Sequence, residues 1–388
     1  MTAWFLMFST VMAMSALTHA YSPVKGNVIY LLAIVGVLWV NSAWKKLQLK
    51  YVYSILFIFI LSTLSALHGE SLLILMLPIY FVSALIVLSI LSERDVDYFI
   101  SFLSMFAFIV LLGALVGTIY AYFGGGALLQ FPNPDGRLNQ LYLSTLTNFH
   151  VGALIRPSGI FDEPGALSFV VCIIAALRHA TGKNKKMTWA LLLLGVVTSS
   201  IAHLLYMIFH WIAEFKQSKN KGRLVILGGG GMFFLSIILV FFMSANELFE
   251  VLIFNRLSSN SLGADRMLFL TNAMNYLDIK TFFFGLDPSC AVGLASCAAK
   301  NYEIYDSNPL TPLVHWGILI SFPYYVIQFF LLLISIFRFN FIAFGVFILL
   351  LQRPYVMSYA YALLIMMTVF MLAGDNVRLR LRKFIKKH

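Results

Sequence analysis

The sequence predicts an all-α polytopic membrane protein of about twelve transmembrane helices, and three observations carry that prediction. Of 388 residues, 61% are hydrophobic and 11% charged, and the mean hydropathy is +0.88, far outside the composition of a soluble globular domain. Apolar stretches of about 17 to 25 residues recur along the chain, the length that crosses a hydrocarbon core about 30 Å thick. The stretches are continuous rather than alternating, which argues against a transmembrane barrel and leaves helices to satisfy the backbone in lipid.

In order, the expected spans are 3–19, 27–43, 51–67, 71–91, 98–122, 164–180, 187–199, 200–215, 224–244, 313–337, 340–351 and 355–373. Residues 1–20 carry no lysine or arginine ahead of the apolar run, so this segment is expected to be an uncleaved first span and not a signal peptide. Residues 187–215 lie between two basic segments, 183–186 and 216–223. An even number of crossings has to fit there, and two short helices broken near Thr198, Ser199 and Ser200 supply it. No polar tract is long enough to bury a core of its own, so residues 1–388 read as a single membrane-embedded domain.

Charge orients the bundle. With both termini in the cytoplasm, 19 of the 27 lysines and arginines fall on the inner side, as the positive-inside rule requires. The net charge of +11 is thereby explained by topology, and no nucleic-acid partner is expected. Five of the eight outer cations are arginines and eleven of the sixteen acids are outside, which concentrates polar chemistry on one face. Two long loops lie there, about residues 123–163 and 245–312, and long ordered loops in a compact protein are usually functional.

The first loop opens on Gly124, Gly125 and Gly126, read as loop flexibility because nothing like a full phosphate-loop pattern follows. Turn chemistry continues through residues 131–137. The stretch 138–154 is amphipathic, with Tyr142 and Phe149 suited to an interface. The loop closes on residues 156–164, where Arg156 precedes two adjacent carboxylates, Asp162 and Glu163, and Pro164 fits the first turn of the next span. Two accounts stand side by side: helix capping with an interfacial arginine–carboxylate pair, or a site.

The second loop supplies Arg256, then Asp265 and Arg266 ahead of an amphipathic stretch at 267–276. Phe284-Gly285-Leu286 follows, and Asp306-Ser307-Asn308 precedes the tenth span. Cys290 and Cys297 lie in this loop, where a disulfide is favoured over two free thiols in an oxidising compartment, while Cys172 falls within a span as a small hydrophobe. His315 begins the tenth span and is either structural or a proton acceptor. His203 and His210 share a helix face and read as packing, and His68, His150 and His179 are boundary residues. No Cys/His cluster has metal-ligand spacing, so neither metal nor cofactor is expected.

In several places the chain resembles the Wzy-type O-antigen, or oligosaccharide repeat-unit, polymerases, which are related to the O-antigen ligases. The first resemblance is an arginine followed by Gly-x-Phe-x-Glu-Pro at the end of the first long loop: Arg156, Gly159, Phe161, Glu163 and Pro164. Next is a pair of spans interrupted by Thr198, Ser199 and Ser200. Asp265-Arg266 with the turn Phe284-Gly285-Leu286 follows, and the last is a polar segment, Asp306-Ser307-Asn308, before His315-Trp316-Gly317. Relatives commonly carry His-Asn at that last point, and this chain has no histidine there.

The resemblance implies a GT-C-like glycosyltransferase in the bacterial inner membrane, active at the periplasmic face. It would move a growing glycan from undecaprenyl diphosphate to a new lipid-linked repeat unit, with a polysaccharide chain-length regulator and membrane lipids as further partners. Arginines in place of a metal would stabilise the departing diphosphate, which assigns that role to Arg156, Arg256, Arg266 and Arg353. A carboxylate or histidine would take the acceptor proton, with Glu163, Asp306 and His315 as candidates. The alternatives are an O-antigen ligase delivering glycan to lipid A-core and a lipid-linked oligosaccharide flippase, which would need charges lining a path through the spans.

Overall fold

The computed structural model describes residues 2–22, 26–40, 49–68, 76–132, 138–151, 154–217, 270–271, 273–286, 308–355 and 359–373. Among these the chain is predominantly helical: α1 (Thr2–Met14), α2 (Ala16–Tyr21), α3 (Gly26–Val40), α4 (Leu49–His68), α5 (Met76–Ile90) and α6 (Glu93–Tyr122) precede the first long loop. After it come α7 (Pro164–Ala180), α8 (Lys185–Gly195), α9 (Ile201–Gln217), α10 (Ile279–Phe284), α11 (Thr311–Arg338), α12 (Phe341–Gln352) and α13 (Tyr359–Ala373). Two of these, α6 and α11, are long and apolar enough to cross a membrane; the other apolar helices are shorter. The expected span 224–244 lies outside the described residues.

Short polar side chains set the helix starts. Ser92 Oγ accepts from the Asp95 N–H at α6, Asn184 Oδ1 from Lys186 at α8 and Asn340 Oδ1 from Ala343 at α12, each satisfying an otherwise orphaned donor. The first expected span is divided, because Ser15 interrupts it and caps α2. Gly124, the first residue of the glycine triplet, takes a left-handed conformation just beyond α6, and the Gly124 and Gly125 N–H groups bond back to Ala121 and Tyr120. The triplet therefore begins as a helix terminator.

α7 is the centre of the bundle. Its sequence is apolar all the way round, the pattern of a helix with no solvent face, and residues from Ala166 through Arg178 are buried. α6, α8, α9, α12 and α13 pack around it. α8 and α9 are antiparallel: Leu192 O at the end of α8 meets His203 near the start of α9 at 2.8 Å, while Lys185 at the start of α8 reaches Glu214 near the end of α9 at 3.3 Å. The hairpin expected over 187–215 is present, turning through a 3-10 segment (Val196–Thr198) and a left-handed Ser199.

The all-helical expectation needs one correction. The stretch 138–154, read as amphipathic, forms strands: β1 (Leu129–Pro132), β2 (Leu138–Tyr142) and β3 (Thr145–Thr147) make a three-stranded antiparallel sheet, and β4 (His150–Val151) pairs with β5 (Leu154–Ile155). Leu141 opposes Leu146 in the ribbon, and Ser144 Oγ donates to Gly113 O of α6. This small sheet lies over the end of α6 and holds the segment that leads into α7.

Candidate functional site

The segment 156–163 is clamped from both sides. Leu146 pairs with Gly159 as an antiparallel bridge, with Leu146 N donating to Gly159 O and Ser158 N to Leu146 O, both at 2.7 Å. Thr147 Oγ1 donates to Arg156 O at 2.6 Å, and Thr145 Oγ1 accepts from the Gly159 N–H at 2.9 Å. From the opposite side, Ala16 N at the break between α1 and α2 donates to Ile160 O at 2.9 Å. Buried threonines thus take up backbone groups that an irregular segment leaves without ladder partners.

Arg156 is aimed at the α8–α9 turn. Its Nε donates to Thr198 O at 3.2 Å and its Nη2 to Ser199 O at 3.3 Å, and the guanidinium carbon lies 5.2 Å from the centre of the Phe149 ring. The guanidinium fork suits two adjacent carbonyls, and the aromatic face adds a cation–π contact. Two features that stand 42 residues apart, the arginine and the Thr-Ser break, are brought together at one end of the bundle.

Glu163 occupies the N-cap position of α7, but its side chain makes no capping bond, and Pro164 opens the helix. The capping account of Glu163 is therefore set aside. Its carboxylate instead pairs with Arg353, which follows α12, and Tyr355 Oη donates to Glu163 Oε1 at 3.1 Å. Arg353 Nη1 and Tyr355 Oη are 2.5 Å apart. Burial alone would lower the Arg353 pKa, but the Glu163 carboxylate and Tyr355 outweigh it and hold it well above the ordinary arginine value.

A close approach makes this pairing possible. A β-carbon at Gly165 would collide with the Arg353 guanidinium, so glycine there leaves the space the arginine fills. Phe169, one helical turn further on, meets the Tyr355 ring edge-on, with centroids 5.2 Å apart.

The second loop reaches the same bundle through α10 and α11. Gly317 has φ 67° within α11 and breaks it, and Gly285 has φ 84° just after α10. Each faces the other's neighbourhood: a β-carbon at Gly285 would strike His315 O, and one at Gly317 would strike Phe283 O. Leu286 N donates to Val314 O at 2.8 Å. The turn Phe284-Gly285-Leu286 therefore docks on His315-Trp316-Gly317, and His315 is buried at 5% exposure beneath it. Asn308 Oδ1 accepts from the N–H groups of Leu310 and Thr311 and starts α11.

Of the residues singled out in the sequence, the structure pairs Glu163 with Arg353, joins Arg156 to the Thr198–Ser199 turn and buries His315 under the second-loop turn. Arg256, Arg266 and Asp306 lie outside the described residues, as do Cys290 and Cys297. Tyr355 and Gly165 were not singled out; their role rests on contacts between segments nearly two hundred residues apart. Cys172 is buried, with Sγ 3.3 Å from His203 Nδ1, as a packed interior residue. No protein-family model matches the chain, and comparison with curated proteins returns no significant match.

Proposed function

We propose that the chain is a multi-pass glycosyltransferase of the bacterial inner membrane, with about twelve spans and cytoplasmic termini, that polymerises undecaprenyl-diphosphate-linked oligosaccharide repeat units at the periplasmic face. The observation that carries the reading is the seating of Arg156 on the Thr198–Ser199 turn, which joins two separate points of the family resemblance in space. The membrane setting draws support from exposed aromatic and aliphatic side chains on the apolar helices, among them Trp4, Phe57, Ile60, Ile109 and Phe329. In water such faces would drive association; against acyl chains they are the expected surface.

In this reaction the acceptor hydroxyl oxygen forms a bond to the anomeric carbon of the growing glycan as the carbon–oxygen bond to undecaprenyl diphosphate breaks. The bonding electrons leave with the diphosphate, and the hydroxyl proton passes to a protein base. Arg156, with Arg256 and Arg266, would stabilise the charge that develops on the diphosphate. Arg353 has Glu163 as its counter-ion and would act through it, fixing the carboxylate at the start of α7. Glu163, Asp306 and His315 are the candidate bases.

The test is the glycan ladder of a strain whose own copy is deleted and replaced by variants at matched membrane abundance. Arg156→Ala is expected to leave core bearing a single repeat, and an unchanged ladder would remove Arg156 from the site. Bare core with accumulated lipid-linked polymer in the deletion strain would instead identify a ligase. Purified protein that lengthens lipid-linked repeats in detergent excludes a transport-only role.

A further inference from the structure

At the opposite end of α7 from Glu163, a distance of about 24 Å at 1.5 Å per residue, three metal-ligating side chains converge. His179 comes from the last turn of α7, and His210 and Glu214 from one face of α9. One ligand atom from each lies within 4.8 Å of the others. A zinc ion with bonds near 2.1 Å at tetrahedral angles needs ligand separations of about 3.4 Å. His210 Nε2 and Glu214 Oε1 are already 3.7 Å apart, too far for a hydrogen bond and close to a shared-ion spacing.

One tautomer of His210 places a lone pair inside the cluster. His210 is completely buried, and its Nε2 has no hydrogen-bond partner, an arrangement that costs free energy if nothing fills it. Its other ring nitrogen, Nδ1, is 3.4 Å from Tyr206 Oη. With Nδ1–H donating to that hydroxyl, the lone pair is on Nε2 and faces Glu214, the outer-shell arrangement that orients a metal-binding histidine. Glu214 divides its oxygens: Oε2 takes Trp189 Nε1 at 3.4 Å and Lys185 Nζ at 3.3 Å, while Oε1 faces His210. The two imidazole rings are held edge to face at 5.2 Å, and Gln217 lies 3.3 Å from His179 Nε2.

We propose that His179, His210 and Glu214 form a three-ligand site for a first-row divalent transition metal, with zinc the best fit to two imidazoles and one carboxylate and water in the fourth position. The ion ties the end of α7 to α9 and adds a second counter-charge, beside Lys185, to the acid that the bundle buries there. The site is independent of the glycosyltransferase reading, because it stands at the other end of the bundle and its test needs no substrate.

The experiment uses full-length protein in detergent, purified through a tag without histidines, stripped with chelator, reloaded with zinc alone and competed against a chromogenic chelator. One zinc per chain is expected. Glu214→Gln and His210→Ala should weaken binding more than about 100-fold, and Tyr206→Phe, which keeps the ring, about 10-fold. Lys185→Ala should tighten it several-fold by removing the competing cation. Cobalt in place of zinc should give the visible bands of a low-symmetry tetrahedral site, lost in Glu214→Gln. No stoichiometric zinc in the wild type, or equal affinity in wild type, Glu214→Gln and Tyr206→Phe, would overturn the proposal even if His210→Ala failed to fold.

Discussion

Glu163 and Arg353 form an ion pair between residues 190 positions apart, and the pair joins the start of α7 to the end of α12. Both side chains are largely shielded from water. Removing one partner strands the other, which is costlier than losing a surface pair. Arg353→Ala is expected to cost about 3 kcal/mol, read as a fall in thermal unfolding temperature in detergent. Glu163→Gln should cost less, since an amide oxygen still accepts from the guanidinium. A double-mutant cycle should show coupling of about 1–3 kcal/mol, and additivity would dissolve the pair.

Gly285 and Gly317 hold α10 against the break in α11. Alanine at either position would have to hold a positive φ with an extended ψ (φ 84°, ψ 173° at Gly285 and φ 67°, ψ 168° at Gly317), a region essentially reserved to glycine that costs about 1–3 kcal/mol, and it also meets a backbone atom it cannot displace. Each single substitution is expected to loosen the second-loop turn, seen as faster limited proteolysis around residues 279–286. The double variant should be hardly worse than either single one, because both break the same contact.

Arg156→Lys separates charge from geometry. One ammonium keeps the charge but forfeits the fork that serves Thr198 and Ser199 together. Hydrogen exchange over residues 145–161 should rise by the equivalent of about 1–2 kcal/mol of local opening, and Arg156→Ala should do the same. If exchange there is unaltered in both, the arginine does not anchor the loop.

Asp278 caps α10, accepting from the Thr281 N–H at 2.6 Å, and that bond holds its carboxyl below the ordinary carboxylate value. The folded value is lower than the unfolded one. The cap therefore contributes in full above the unfolded value of about 3.9, and its contribution falls away as pH drops through the folded value. Protection of residues 279–284 should be flat from pH 7 to about 5 and decline below about 4, after correction for intrinsic exchange. Asp278→Asn should abolish the decline.

The sequence was most legible where one physical rule acts alone. The span 164–180 coincides with α7 because an unbroken apolar run is bounded by Pro164 on one side and by Arg178 and His179 on the other. The 187–215 hairpin was readable because basic segments at both ends forced a return. The strands over 138–155 were missed: β3 has three residues and β4 and β5 two each, too short to show the run of alternation by which strands are read. In sequence, capping together with an arginine–carboxylate pair stood against a functional site for Glu163, with Arg156 as the arginine at hand; the partner found, Arg353, was not legible, since nothing local points from residue 163 to residue 353. The cluster of His179, His210 and Glu214 was legible only in half: His210 and Glu214 are four apart on one helix, but nothing local brings His179 to them.

Gly165 carries an implication for the chain's history. The guanidinium of Arg353 occupies the volume that a side chain at 165 would claim, so a larger residue there would push it from its place beside Glu163. Across descendants of a common ancestor, chains that keep the arginine after α12 should also keep glycine at the second residue of α7, whereas chains that lose the arginine should tolerate other residues there. That dependence is a signature by which remote relatives could be recognised when overall similarity has faded.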